Sequence, residues 1–319
     1  MSNFTSKPEN KSKVSESSES QPKLPSISLP KGGGAISGIG EKFAANPVTG
    51  TGSLNVPIFT TPGRSGFGPQ LSLSYDSGSG NGPFGFGWSL SLPSITRKTD
   101  KGLPKYQDSE DSEESDVFIL SGAEDLVPVL VFKNGKWRRD PLNSEDGTFK
   151  IQRYLPRIEG TFARIERWTN PKGEVHWRSI SKDNITTLYG KTEESRIFDP
   201  SSKEHVFSWL ISESYDDKGN AIIYEYQAED SVGVDISQAH ENNRNHDLLA
   251  NRYLKCIRYG NSTPYQPAED YTKQNWLFEV VFDYDEGRYE TLPDENGCQF
   301  VRSTRDKQRH WSVRRDPFS

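Results

Sequence analysis

From about residue 50 onward the chain repeats one pattern: short runs of alternating apolar and polar positions, separated by glycine, proline, asparagine and aspartate. Ser53–Thr60 (SLNVPIFT), Gln70–Tyr75 (QLSLSY) and Trp88–Leu92 (WSLSL) show it clearly. A period of two sends successive side chains to opposite faces, which is the signature of a half-buried strand. The same pattern predicts strands at Val117–Leu120, Leu126–Phe132, Phe149–Tyr154, Phe162–Trp168, Val175–Ile180, Thr186–Tyr189, His205–Glu213, Ala221–Gln227, Tyr253–Tyr259 and Trp276–Tyr284. One hairpin signal stands out: Asp216-Asp217-Lys218-Gly219-Asn220 separates two alternating runs, and Gly219 or Asn220 can take the positive φ that such a turn needs. The stretch Ile236–Ala250 is the only helix candidate; its periodicity is poor, and a long polar loop is the alternative reading.

Composition sharpens this picture. Of 319 residues only 32% are hydrophobic, yet 11% are aromatic, so the core must be built from large rings on pleated surfaces. The 27 glycines and 20 prolines supply breaks between extended segments. The expectation is an all-β chain of many short antiparallel strands, forming part of a large curved sheet, a shell or a sandwich. Residues 1–30 are polar and poor in rings, and predict a disordered tail; residues 31–319 predict the β domain. Asp108–Asp116 carries Glu110, Asp111, Glu113, Glu114 and Asp116, and like-charge repulsion predicts an exposed loop.

Charge and targeting exclude some functions. A net charge of −6 argues against nucleic acid as a partner, because phosphate contacts need a basic face. No apolar run reaches the length of a membrane span, and Met1–Gln21 lacks the apolar stretch of a Sec signal peptide. Cys256 and Cys298 read as free thiols of a reducing compartment, with one disulfide as the alternative.

The candidate chemistry reduces to simpler structure. Gly78–Gly82 and Gly85-Phe86-Gly87 imitate phosphate loops, but a strand rather than a helix follows them, so tight turns are expected. The run from Asp76 to Asn81 offers one carboxylate, too few for calcium; Asp283, Asp285 and Glu286 read as an exposed turn. His240 and His246 are six apart and share no helical face, so with Glu241 they read as a solvated loop. Trp137, Trp168, Trp177, Trp209 and Trp276 lie in or beside strands and read as core, with a sugar-binding (lectin-like) module as the alternative. No catalytic, cofactor-binding or metal-binding residue is assigned, and no enzyme is expected.

The block GGGAISGIGEKFAANPVTGTGSLNVPIFTTPGRSGFGPQLSLSYDSGSGNGPFGFGWSLSLPSI, continued by YDDKGNAIIYEY, NRYLKCIRYGN and FEVVFDYDEG, resembles the N-terminal region of the SpvB family. That family covers the Salmonella plasmid virulence B protein and the B components of insecticidal toxin complexes. The resemblance implies a structural module preceding a propeller and RHS/YD-type repeats. Those repeats build a hollow β-shell with the C component around a toxic cargo, and the propeller closes the shell and docks on a pore-forming A component. The lack of a Sec signal peptide is consistent with assembly in the bacterial cytoplasm and release by a non-Sec route. The family's ADP-ribosyltransferase lies in a separate domain. Its E-x-E and S-T-S motifs do not occur in this sequence, and the ending at Ser319 reads as a truncation within the family domain.

Overall fold

The computed structural model describes residues 42–45, 50–107, 115–121, 125–158, 160, 162–231, 235–241, 245, 249–266, 271, 274–284, 289–293 and 299–303. All of them lie in the compact unit Ile39–Ser319. The tail expected over residues 1–30, His246, Asp285, Glu286 and Cys298 lie outside the described residues.

The glycine-rich block folds first along the chain. Strands β1 (Lys42–Ala45), β2 (Gly52–Ile58), β3 (Leu71–Asp76) and β6 (Trp88–Leu90) form a four-stranded sheet in that order. The short ladder of β4 (Asn81–Gly82) with β5 (Gly85–Phe86) interrupts it. The turns are built by local chemistry. Asp76 Oδ1 accepts the Gly78 N–H at 2.8 Å. Gly87 has φ +78, and a side chain there would meet the Tyr75 ring at 2.5 Å, so only glycine fits.

The remaining strands are β7 (Ser94–Arg97), β8 (Phe118–Leu120), β9 (Asp125–Pro128), β10 (Leu130–Lys133), β11 (Lys136–Arg139), β12 (Leu142–Asn143), β13 (Lys150–Pro156), β14 (Arg164–Thr169), β15 (Val175–Ile180), β16 (Thr186–Tyr189), β17 (Arg196–Asp199), β18 (Ser202–Tyr215), β19 (Ala221–Ala228), β20 (Arg252–Asn261), β21 (Trp276–Val281), β22 (Tyr289–Pro293) and β23 (Gln299–Ser303). Thirteen of these make one sheet. Its path β16-β15-β14-β13-β9-β8-β7-β18 closes on itself, because β18 also pairs with β16, giving an eight-membered barrel. The all-β expectation holds. The closure is the part that strand periodicity does not display.

Strand β18 makes the closure. It runs for 14 residues, long enough to pair with four strands. Its N-terminal half lies between β17 and β7, and its C-terminal half between β16 and β19. From there the sheet leaves the barrel through β19, β20 and β21.

An eight-stranded barrel is just wide enough for side chains to fill. Here rings fill it. Trp177 stands 4.9 Å from Phe118, 4.9 Å from Tyr154 and 6.0 Å from Trp209, in tilted or edge-to-face contact. Ile95, Leu126 and Ile165 complete the packing. At Gly190, with φ +65, a Cβ would lie 2.2 Å from Trp209 Cδ1, so the Trp209 ring takes the space that glycine leaves.

Three expectations change. Leu126–Phe132 is two strands: β9 belongs to the barrel wall, whereas β10 turns away and, among the described residues, pairs only with β11. Within Ile236–Ala250, the described residues hold a three-residue 3-10 turn, Ala239–Glu241, in place of the α-helix candidate. Asp116, at the end of the acidic stretch, is turned inward instead of exposed, its side chain only 9% accessible. It accepts a bond from Arg97 Nη1 at 2.8 Å and from the Lys105 and Tyr106 amides, because a buried arginine needs a carboxylate more than the loop needs water.

Candidate assembly surface

Strand β19 shows how the sheet extension gains two buried faces. Ile222 and Tyr224 point into the main core, while Ala221 and Ile223 point to the other side and meet Tyr265. Period two divides one apolar run between two clusters. Tyr215, Tyr271 and Trp276 flank the second cluster.

The glycine-rich block is seated against this region. The Tyr259 hydroxyl donates to the Thr61 carbonyl at 2.8 Å, joining residues 198 positions apart. The Tyr259 ring also lies 5.2 Å from that of Phe278, tilted against it. Phe84 contacts the rings of Phe282 and Tyr284 at 6.2 Å and 6.3 Å. Ile58, Phe67, Leu90 and Leu92 pack on the main core. Between block and sheet lies a cavity of about 420 Å³, with Phe84, Trp88, Tyr226, Tyr253 and Tyr284 in its walls. Its lining is mainly apolar, with Arg252 as the one cation, so it offers packing surface and no acid–base pair.

The extension ends in an open edge. Among the described residues β21 pairs with β20 and with nothing on its far side, and its Leu277 is 68% exposed. Unpaired N–H and C=O groups on such an edge are a template for another strand.

The ionisable groups are committed to holding the walls together. Glu166 lies on the opposite face of β14 from the core residue Ile165. It accepts bonds from Arg164, from Trp168 Nε1 at 3.0 Å and from Arg178 Nη2 at 2.7 Å. Burial raises its pKa, but the bonds from Trp168 and Arg178 outweigh that and hold it below its ordinary range. His176, under the rings of Phe149 and Trp168, is pushed down to about 4 by burial and by the charges of Arg196, Lys191 and Arg178. The Cys256 thiol is buried in β20 and donates to Glu279 Oε1 at 3.0 Å. Burial, then the Glu279 carboxylate, push its pKa up, which keeps it a thiol and a poor nucleophile.

The motifs weighed in the sequence are not brought together. Asp76 caps its own turn, and the glycines after it form the β4–β5 ladder ahead of strand β6. Glu241 is buried in the 3-10 turn, far along the chain from Asp76 and Asp283. Among the described residues no group of three His, Cys, Asp or Glu is placed to hold a metal ion. No helix among them is long and apolar enough to cross a membrane. Of the tryptophans read as core, Trp177 and Trp209 are fully buried, and Trp168 and Trp276 are partly so. Trp137 departs from that reading: it sits on β11 and is 66% exposed. The open edge of β21 and the exposed β10–β11 hairpin were both missed by periodicity, which does not report a strand's neighbours.

Comparison with known proteins matches this architecture. The family described as SpvB, Salmonella virulence plasmid 65kDa B protein, matches residues 46–319. The mono(ADP-ribosyl)transferase SpvB of Salmonella choleraesuis is 36% identical over 301 residues, covering 92% of this chain and 47% of that protein. The chain thus spans about half the length of these curated relatives. The solved N-terminal domain of the effector SpvB from Salmonella typhimurium is 34% identical, with a TM-score of 0.60 over 81% of this chain and 80% of that one. The crystal structure of TcdB2-TccC3 is 32% identical, with a TM-score of 0.67 over 88% of this chain and 13% of that one. The Tc holotoxin pore of Photorhabdus luminescens is 30% identical, with a TM-score of 0.65 over 88% of this chain and 12% of that one. The ring-filled barrel and its sheet extension are therefore a shared architecture, and the chain belongs to the SpvB family.

Proposed function

We propose that this chain is a structural and assembly module: one wall segment of a toxin-complex B component, or the equivalent N-terminal module of an SpvB-type effector. The observation that carries this is the edge of β21, open among the described residues, at the end of the sheet that extends from the closed barrel. A strand added there continues the sheet, and the same architecture occupies only 13% of the TcdB2-TccC3 chain, as one part of a larger wall would. The expected partners are the C component and the pore-forming A component of such a complex. The module contributes containment and docking, and any ADP-ribosyltransferase activity belongs to sequence other than this chain. Assembly in the bacterial cytoplasm and release by a non-Sec route accompany this reading.

Co-expression with a C component and the portion of a B component that follows this region tests it. The expected result is co-purification of all three in a protease-resistant particle, weakened by Leu277→Lys at the open edge. A chain that is recovered alone and monodisperse from that mixture overturns the proposal.

A further inference from the structure

The hairpin β10–β11 stands apart from the barrel. It leaves the wall between β9 and β12, which both pair with β13, and among the described residues it pairs with no other strand. Its turn is Asn134-Gly135, both at positive φ (52° and 77°), which matches the twist of a two-residue hairpin loop. The register places Leu130 opposite Arg139 and Phe132 opposite Trp137 on one face. Val131 lies opposite Arg138, and Lys133 opposite Lys136, on the other.

The two faces differ in chemistry. One presents Leu130, Phe132 and Trp137, with Arg139 at its base; the rings touch at 5.3 Å yet remain 61% and 66% exposed. The other carries three of the four cations in Leu130–Arg139, a segment with no carboxylate. Asp140 neutralises Lys133 at 2.8 Å, and Arg139 bonds Ser115 at 2.9 Å. Lys136 and Arg138 have no ion-pair partner among the described residues. A cross-strand clasp explains why the rings touch, since an isolated hairpin is marginal in water. It does not explain two lysines placed opposite each other, an arrangement that costs stability.

We propose that this hairpin is a membrane-surface element that lies on anionic lipid, with Phe132 and Trp137 entering the headgroup–acyl boundary and the cations meeting lipid phosphates. The segregation of rings from cations is the layout of an interfacial amphipathic element. A nucleic-acid platform instead needs rings and cations on one face, to stack on bases and reach phosphates together. The inference is independent of the shell reading, because it uses residues away from the β21 edge.

Flotation of the full chain with vesicles of phosphatidylcholine containing about 30% phosphatidylserine tests it, at about 0.15 M salt. Binding is expected to the anionic vesicles, not to pure phosphatidylcholine, and to fall as salt rises. The double variant Lys136→Glu with Arg138→Glu keeps the ring pair and so the clasp, and is expected to lower partitioning at least about tenfold. Phe132→Ser with Trp137→Ser is expected to do the same with an unchanged far-ultraviolet circular dichroism spectrum. Absence of vesicle binding, equal binding to neutral vesicles, wild-type binding by the charge-reversal variant, or tighter binding to duplex DNA than to the anionic vesicles each overturns it.

Discussion

The barrel and the glycine-rich block are both antiparallel β-structure, yet different parts of the residue specify them. In the barrel, side chains decide: Phe118, Tyr154, Trp177 and Trp209 fill the interior, and strands assemble around the rings. In the block, few side chains are fully buried, Leu71 and Pro69 among them, and the backbone decides through Asp76, Gly87 and the β4–β5 turn. The lesson is that similar strand density can rest on volume in one place and on turn geometry in another. The two should fail in different ways.

The largest effect is expected in the ring cluster. Trp177 is 0% exposed, and Trp177→Ala should destabilise the whole unit by about 3–5 kcal/mol, read as a lowered urea midpoint. A change confined to local hydrogen exchange would break the comparison. Acid comes next. Native His176 stays neutral down to about 4, whereas the unfolded chain takes up a proton near 6.5. The unfolded state therefore binds more protons across that window, and stability should fall by about 3 kcal/mol as pH drops from 6.5 to 4. Denaturation across that range should show a clearly shallower slope in His176→Phe.

In the block, Gly87→Ala forces a side chain toward Tyr75 and into positive φ. It should cost about 1–2 kcal/mol, with faster hydrogen exchange in β3 and β6 and an unchanged barrel. The smallest effect is expected at Trp137→Ala, within about 0.5 kcal/mol of wild type in global stability. Comparing that substitution with Trp177→Ala measures directly what burial contributes to one residue type.

Local features were legible in the sequence wherever one segment contains the whole cause. The β18–β19 hairpin was visible because Asp216 accepts the Lys218 and Asn220 amides within its own turn, and Gly219 takes the positive φ. The barrel was not, because its closing pairs, Ile95 with Trp209 and Leu188 with Glu213, join segments that no local pattern relates. Asp116 was misread for the same reason: its partner Arg97 lies 19 residues upstream, beyond the acidic run that set the expectation. Trp137 alternates as a core strand residue does, yet among the described residues no strand beyond β10 flanks its own, and it stands 66% exposed. The open edge and the exposed hairpin, the two surfaces on which the proposals rest, depend on what lies beside a strand, which its own sequence does not report.

The bond between Tyr259 and Thr61, and the register of Ile95 on Trp209, also set a schedule. During synthesis β7 emerges more than a hundred residues before the strand that will close against it, a delay on the order of ten seconds at ordinary translation speed. Over that interval β7 has one edge without its final partner. The glycine-rich block waits longer still for Tyr259. A chaperone that shields nascent strand edges would hold β7 before Trp209 leaves the ribosome, and release that edge once β18 has paired.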